Sequence, residues 1–232
     1  MIGTGFEMTP IVESVCGTKE IRRAYDLWSH IYGKVAAPLE HGPRLLALEL
    51  ANIQPHEKVL EIATGPGQIL LEILKRVDRT NFVYGVDLSW KMIEKSWRRV
   101  HGAGYHNLGL AEADTRQLPF ADQAFDVVYS SYMLDILSVQ DILAALREFR
   151  RVLKGGGRVI LVNLSKQSPQ GHTGVEYLYK WLPAPWVPYI LGGCRPVLLA
   201  DLVRDAGFSG VQRKFIGGLM SSEIVAARAC ST

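Results

Sequence analysis

Cysteine is scarce in this chain of 232 residues: only Cys16, Cys194 and Cys230, odd in number and far apart. No CxxC pair and no Cys/His ligand spacing occurs, which argues against a disulfide framework or a zinc site and fits a reducing cytoplasm. Long apolar runs are missing too; nothing approaches the ~20 residues that span a bilayer. The opening "MIGTGFEMTP" lacks the basic and apolar regions of a secretory signal, so a cytoplasmic protein is expected. Nor is charge of one sign concentrated. The 26 basic and 23 acidic residues leave a net +3 spread along the chain. A nucleic-acid partner would call for a dense basic face, and none is expected. The basic clusters Arg22–Arg23, Lys95 to Arg99 and Arg147 to Lys154 read as solvated helix faces.

What is present is core. At 48% hydrophobic residues, the chain can bury one sizeable α/β domain without staples. "TKEIRRAYDLWSHIYGKV" spaces Ile21, Tyr25, Trp28 and Tyr32 along one helical face, and "GPRLLALELANI" is a second helix. Strands and helices then alternate. "KVLEIA", "NFVYGVDL", "NLGLAEAD", "AFDVVYSSYML" and "RVILVNL" read as strands that are apolar almost throughout, as when helices cover both faces. Gly155–Gly157 is expected to turn the preceding helix into the fifth of these. A final helix, "PVLLADLVRDAGF", precedes the strands "GVQRKFI" and "SEIVAARA", which a tight turn joins. The pattern predicts an α/β fold. It is a Rossmann-like, doubly wound, mostly parallel sheet of seven strands with a C-terminal antiparallel strand. The expected parts of one domain are a helical cap over 1–55, a ligand-binding core over 56–164, an insertion over 165–195 and the closing helix and strands over 196–232. A stretch as long as 165–195 that breaks the rhythm is expected to cover a substrate.

The chemistry begins at "VLEIATGPGQ". Gly65 and Gly67 let the backbone turn tightly after the first strand. Asp87 ends the second strand about twenty residues on, where a carboxylate can take both hydroxyls of a ribose. A dinucleotide turn would want a third small residue where Leu70 stands. Glu61, just before the loop, would repel pyrophosphate and suits a cationic amino-acid moiety. Asp87 and Asp114 could also be plain turn or cap residues. Their register with Glu61 and the glycines favours ligand roles.

Four motifs in order, "VLEIATGPGQ", "VYGVDLSWKMIEKS", "AEADTRQLPFADQAFDVVYSSYML" and "LREFRRVLKGGGRVILVNLSK", resemble a class I S-adenosylmethionine-dependent methyltransferase. Within that class the chain is similar to the ubiquinone/menaquinone-biosynthesis methyltransferases, which share the alanine at Ala63 and a tyrosine-bearing N-terminal helix like that around Tyr25 and Tyr32. The resemblance implies S-adenosyl-L-methionine as cofactor. Glu61 would hold the methionine amino end, with Ala63, Gly65 and Gly67 lining the turn. Asp87 would bind the ribose, Leu88 would lie against the adenine, and Asp114 with Thr115 would meet the adenine amino group. Ser130 and Ser131 would face the methionine portion.

The acceptor side departs from that family, whose Arg-Asn pair after the fourth strand is replaced here by "SSYMLDILS". Asp135 could bind an acceptor amine, remove a proton or cap the next helix, and Tyr132 stands just before it. His172 lies in the expected insertion and is the histidine placed to act as a base; His30 comes second. The insertion's Tyr177, Tyr179, Trp181, Trp186 and Tyr189 could pack a lid, line an apolar slot or touch a membrane surface. The acceptor is read as a small molecule or lipid, a quinol-like ring first. A lipid headgroup amine, or a noncatalytic donor-binding subunit, stands behind it.

Overall fold

The computed structural model describes residues 11–28, 37–218 and 220–230. Seven strands are present among them: β1 (Val59–Ile62), β2 (Val83–Asp87), β3 (Leu108–Glu112), β4 (Phe125–Ser131), β5 (Leu153–Leu164), β6 (Phe208–Ile216) and β7 (Ser222–Ala229). They form one sheet in the order β3-β2-β1-β4-β5-β7-β6. The first five are mutually parallel, and β7 runs antiparallel to both β5 and β6. The expected mostly parallel, seven-stranded sheet is therefore what forms.

Alternation along each strand builds two cores. Leu60, Ile62, Val128 and Leu161 face one side, where helix α5 (Val139–Val152) packs Ile142, Leu146 and Phe149 against them. Val59, Val127, Tyr129 and Ile160 face the other, against Leu48 of helix α2 (Ala37–Ala51) and Leu70 and Ile73 of α3 (Gln68–Leu74). Burial on both faces explains why the strands read as apolar runs. Helix α1 (Thr18–Trp28) buries Ile21 and Ala24. Ser89 opens α4 (Trp90–Gly102), its hydroxyl accepting from Met92 N at 3.3 Å, and Ser138 opens α5 in the same way from Asp141 N at 3.1 Å.

Two expectations are corrected here. Gly155–Gly157 does not precede β5 but lies inside it, because Leu153 already pairs with Phe125 through a register shift. Gly157 must be glycine-sized at that place, since a Cβ would sit 2.9 Å from Lys154 O and 3.0 Å from Asp126 O. Residues 165–195 are not a lid over the cavity described below. They fold into α6 (Gly174–Trp181), a 3₁₀ turn (Ala184–Trp186) and α7 (Val187–Ile190). Tyr179 Oη accepts from Val15 N at 3.1 Å and α1 packs on α7, so the segment buttresses the N-terminal residues instead. Helix α8 (Leu199–Asp205) then leads into β6.

The turn between β1 and α3 sets the geometry of the site and gives a test. Gly67 has φ +76°, and a Cβ there would lie 2.5 Å from Ser96 Oγ and 2.7 Å from Ser96 Cα on α4. Gly65 has φ +51° and its Cβ would meet nothing within 4 Å. Gly67→Ala is expected to destabilise the fold by about 2–4 kcal/mol, from overpacking plus left-handed strain. Gly65→Ala should cost about 1–2 kcal/mol, from strain alone. Urea unfolding of both variants checks the order; equal losses would show that α4 yields at Ser96.

Candidate active site

The C-terminal ends of β1, β2 and β4, with α1 and α2 beside them, enclose about 1030 Å³, open solvent at the mouth included. Parallel strands leave their carboxyl ends and following turns on one rim, which is why residues far apart in sequence meet there. Of the residues expected at the donor, Glu61, Ala63, Gly65, Asp87, Leu88, Asp114, Thr115 and Ser131 line this cavity, together with Tyr132. Ala63 (φ 56°) and Tyr132 (φ 51°) hold left-handed backbone without being glycine. Such strain costs about 1–2 kcal/mol each and is concentrated at functional turns.

The acids differ sharply. Glu61 is buried, with Oε2 lacking a hydrogen-bond partner, and burial pushes its carboxyl well above the usual range. Arg44 of α2 lines the same cavity, lowers that value by its charge, and pairs with buried Glu40 at 2.6 Å. Asp87 Oδ2 accepts from Gly65 N at 2.8 Å and Oδ1 from Ser89 N at 2.9 Å, so the second strand's end fixes the glycine turn. Burial raises its pKa to about 6. Asp114 is held by Arg116, whose Nε and terminal nitrogen donate to its two oxygens at 2.9 and 2.6 Å and keep it below the ordinary carboxylate range. Beside it, Thr115 Oγ1 is buried without a hydrogen-bond partner.

Several expected residues are placed elsewhere. Ser130 does not line the cavity, since successive strand residues point to opposite faces and Ser131 takes the open one. Gly67 does not line it either; its role is close packing on Ser96. His172 is exposed and outside the cavity, its Nδ1 3.8 Å from Glu176 Oε2, so the expected base is not at the site. Asp135 is fully buried behind the cavity wall, where Oδ2 accepts from Leu164 N at 2.9 Å. Tyr132 is on the wall, but its hydroxyl is engaged with Ser222 Oγ at 2.9 Å and burial raises its pKa. None of residues 165–195 lines the cavity, the five aromatics included. Tyr32, His30 and the Tyr25 side chain fall outside the described residues, although Ile21 and Arg22 of the same helix line the cavity.

Sequence reasoning missed Arg44, Arg116 and the apolar group Ile21, Met92, Met133, Ile136 and Leu137. A single arginine within the apolar "GPRLLALELA" of α2 was the available signal for the first.

The strand order 3-2-1-4-5-7-6, with an acid one residue before the end of β1 and another ending β2, defines the class I S-adenosylmethionine-dependent methyltransferase fold. A family model described as a methyltransferase domain matches residues 59–157. The chain is 30% identical over 182 residues to a ubiquinone/menaquinone biosynthesis C-methyltransferase of Burkholderia ambifaria, covering 78% of this chain and 72% of that one. It is 31% identical over 159 residues to a 2-phytyl-1,4-naphtoquinone methyltransferase of Trichormus variabilis, covering 66% and 68%. The chain belongs to the ubiquinone/menaquinone-biosynthesis methyltransferase family of that class. It spans about half the length of further quinone-pathway methyltransferases that it matches. Among solved structures, the [4+2]-cyclase SpnF superposes with a TM-score of 0.77 at 16% identity, covering 97% of this chain and all of that one. That likeness concerns the fold alone.

The residues present fit the family's cofactor, S-adenosyl-L-methionine. Glu61 is a buried acid with an unpartnered oxygen, and a bound ammonium would satisfy it. Two tests follow. Glu61→Gln should weaken binding of the donor's demethylated product roughly tenfold to a hundredfold, the equivalent of about 1.5–3 kcal/mol for a charged hydrogen bond. Because the raised pKa means stability from Glu61 is lost as pH rises through the folded value, the same variant should be more stable than wild type at alkaline pH. Calorimetry and urea unfolding measure the two; unchanged affinity would remove Glu61 from the donor site.

Asp135 gives a further test. Burial lifts its pKa to about 7, so its contribution to stability is complete below the ordinary value near 4 and is lost as pH rises through about 7. Asp135→Asn keeps an acceptor for Leu164 N and does not titrate. It should gain on wild type in unfolding free energy between pH 5 and 8 while retaining methyl transfer. Loss of turnover with normal folding would return Asp135 to the chemistry.

Proposed function

We propose that this chain transfers the methyl group of S-adenosyl-L-methionine to a small, apolar aromatic acceptor of the quinol type. The observation that carries the proposal is a polar cradle continuous with an apolar wall of Ile21, Met133, Ile136 and Leu137 in one cavity. The names of the relatives, which act in ubiquinone, menaquinone and naphthoquinone methylation, support the ring as acceptor. Where those enzymes carry an Arg-Asn pair, this chain has "SSYMLDILS", and recognition by apolar shape takes the place of a polar clamp.

When bound, the cofactor supplies a methyl group on cationic sulfur, open to in-line displacement. The chain's own part is to hold, orient and dry the reactants. Glu61 would take the ammonium and Arg44 the carboxylate of the amino-acid end, opposite charges for opposite charges. Asp87 would accept from the ribose hydroxyls, and Asp114 with Thr115 would meet the adenine edge against Leu88. Positioning of this kind supplies most of the rate in a displacement that needs no covalent help. The apolar wall excludes water from the acceptor.

None of the described side chains of that apolar wall is ionisable, and Tyr132 is engaged with Ser222. In this reading the acceptor gives up its own phenolic proton to solvent and docks as the nucleophile. Labelled donor offered with reduced benzoquinones, reduced naphthoquinones and phosphatidylethanolamine is expected to label a quinol. Label in the amine alone would overturn the proposal. Acceptors with more acidic phenols should move the pH–rate profile to lower pH by the same interval. A profile that stays fixed across acceptors would mean that a protein group takes the proton.

A further inference from the structure

Helix α6 carries its apolar face on the wrong side for a core. Glu176 and Tyr179 are buried, whereas Tyr177 (63% exposed), Leu178 and Trp181 (80%) share an outward arc of about 100°. The following turn adds Trp186 (60%) and Ile190, also exposed. Helix α1, packed on α7, adds exposed Leu27. An apolar patch that size on a water-soluble surface marks a place where something docks.

Its charge says what. Between 165 and 195 the single acidic residue is Glu176, and it is buried among Lys166, Lys180 and His172. The basic Lys180 is half exposed on α6, next to the aromatics. Neighbouring α1 exposes Lys19, Arg22 and Arg23 against Glu20. Tryptophan and tyrosine with flanking lysine, broken by Pro183, Pro185 and Pro188, match the chemistry of the zone between lipid headgroups and acyl chains. Over 165–195 the exposed face carries basic Lys180 and no exposed acid, which complements anionic headgroups.

We infer that the outer face of α6 and the 184–190 turn seats the protein on an anionic lipid bilayer, with Trp181 and Trp186 as anchors. The patch lies across α1 from the cavity, whose wall includes Ile21 and Arg22 of that helix. Seating there would bring the cavity mouth close to the layer in which apolar molecules dissolve. The surface is separate from the donor cradle, so its test is independent of which acceptor is methylated.

The full chain is sedimented with vesicles of phosphatidylcholine alone and with phosphatidylglycerol added. Partition into the anionic vesicles is expected, with a blue shift of tryptophan emission. The Trp181→Ala/Trp186→Ala double variant should bind roughly tenfold or more weakly. Lys180→Glu should lose roughly fivefold, and added salt should weaken binding further. The double variant should keep wild-type thermal stability and donor affinity, since its altered side chains face solvent; Lys180→Glu, which also loses the ion pair to buried Glu176, should keep donor affinity. Absence of partition, or partition unchanged in the double variant, overturns the inference. So does light scattering that finds a dimer which the double variant abolishes, for then a second copy covers the patch.

Discussion

A carboxylate buried without a full set of partners is the constraint on which this structure turns. Glu61 stands next to the end of β1, an interior strand of the sheet, where burial opposes its ionisation. Ionised, it needs a cation; among the described residues the charge that acts on it is that of Arg44, already paired with Glu40. Holding that acid on a rigid strand requires the chain to leave β1 abruptly, which the left-handed Ala63, Gly65 and Gly67 provide. Asp87 accepts the Gly65 amide and so ties the turn to the neighbouring strand. Cradle and sheet are built by the same few bonds.

Leu70, where a dinucleotide turn would have a third small residue, is fully buried. Gly85 on β2 makes room for the turn itself: a Cβ there would lie 2.5 Å from the Thr64 methyl and 2.9 Å from Leu110, while Leu70 at 3.6 Å would be in ordinary contact. The turn therefore differs from one shaped for pyrophosphate, in agreement with the charge at Glu61.

The strands, their polarity and most of the residues that meet on the cavity rim were legible because each rests on a local pattern. Apolar runs, a glycine turn and acids at or beside the ends of the first three strands are local features, and parallel topology brings strand ends together without further information. What was not legible depends on direction and on distant partners. Ser130 and Ser131 are equivalent in composition, and only the pleat separates them. Asp135 reads as an acid near the acceptor; its burial follows from its bond to Leu164 N on another strand. Arg116 could not be assigned to Asp114 from sequence alone, since an arginine two residues on is as readily solvated. His172 and the aromatics of 174–190 were drawn to the cavity by their chemistry, but His172, Tyr177, Trp181, Trp186 and Tyr189 are exposed, and Tyr179 is buried against Val15.

Residues 165–195 nonetheless act on the cavity, through one cation. Arg195 is fully buried, and its guanidinium donates to the carbonyls of Val12, Asp135 and Leu137. Its own amide donates to Asp135 O at 3.1 Å. Ile136 and Leu137, which form part of the apolar wall, are thereby held against the N-terminal segment. Ser14 Oγ donates to Ile136 O at 3.0 Å and reinforces the same joint. Three backbone carbonyls that the sheet does not satisfy converge on one rigid planar donor, and a lysine could not serve them in that fork geometry. Desolvation weakens the hold of Arg195 on its proton, and the charges of Tyr179 and Asp135 act in the opposite direction. The apolar wall of the cavity is thus set by a segment that does not line it.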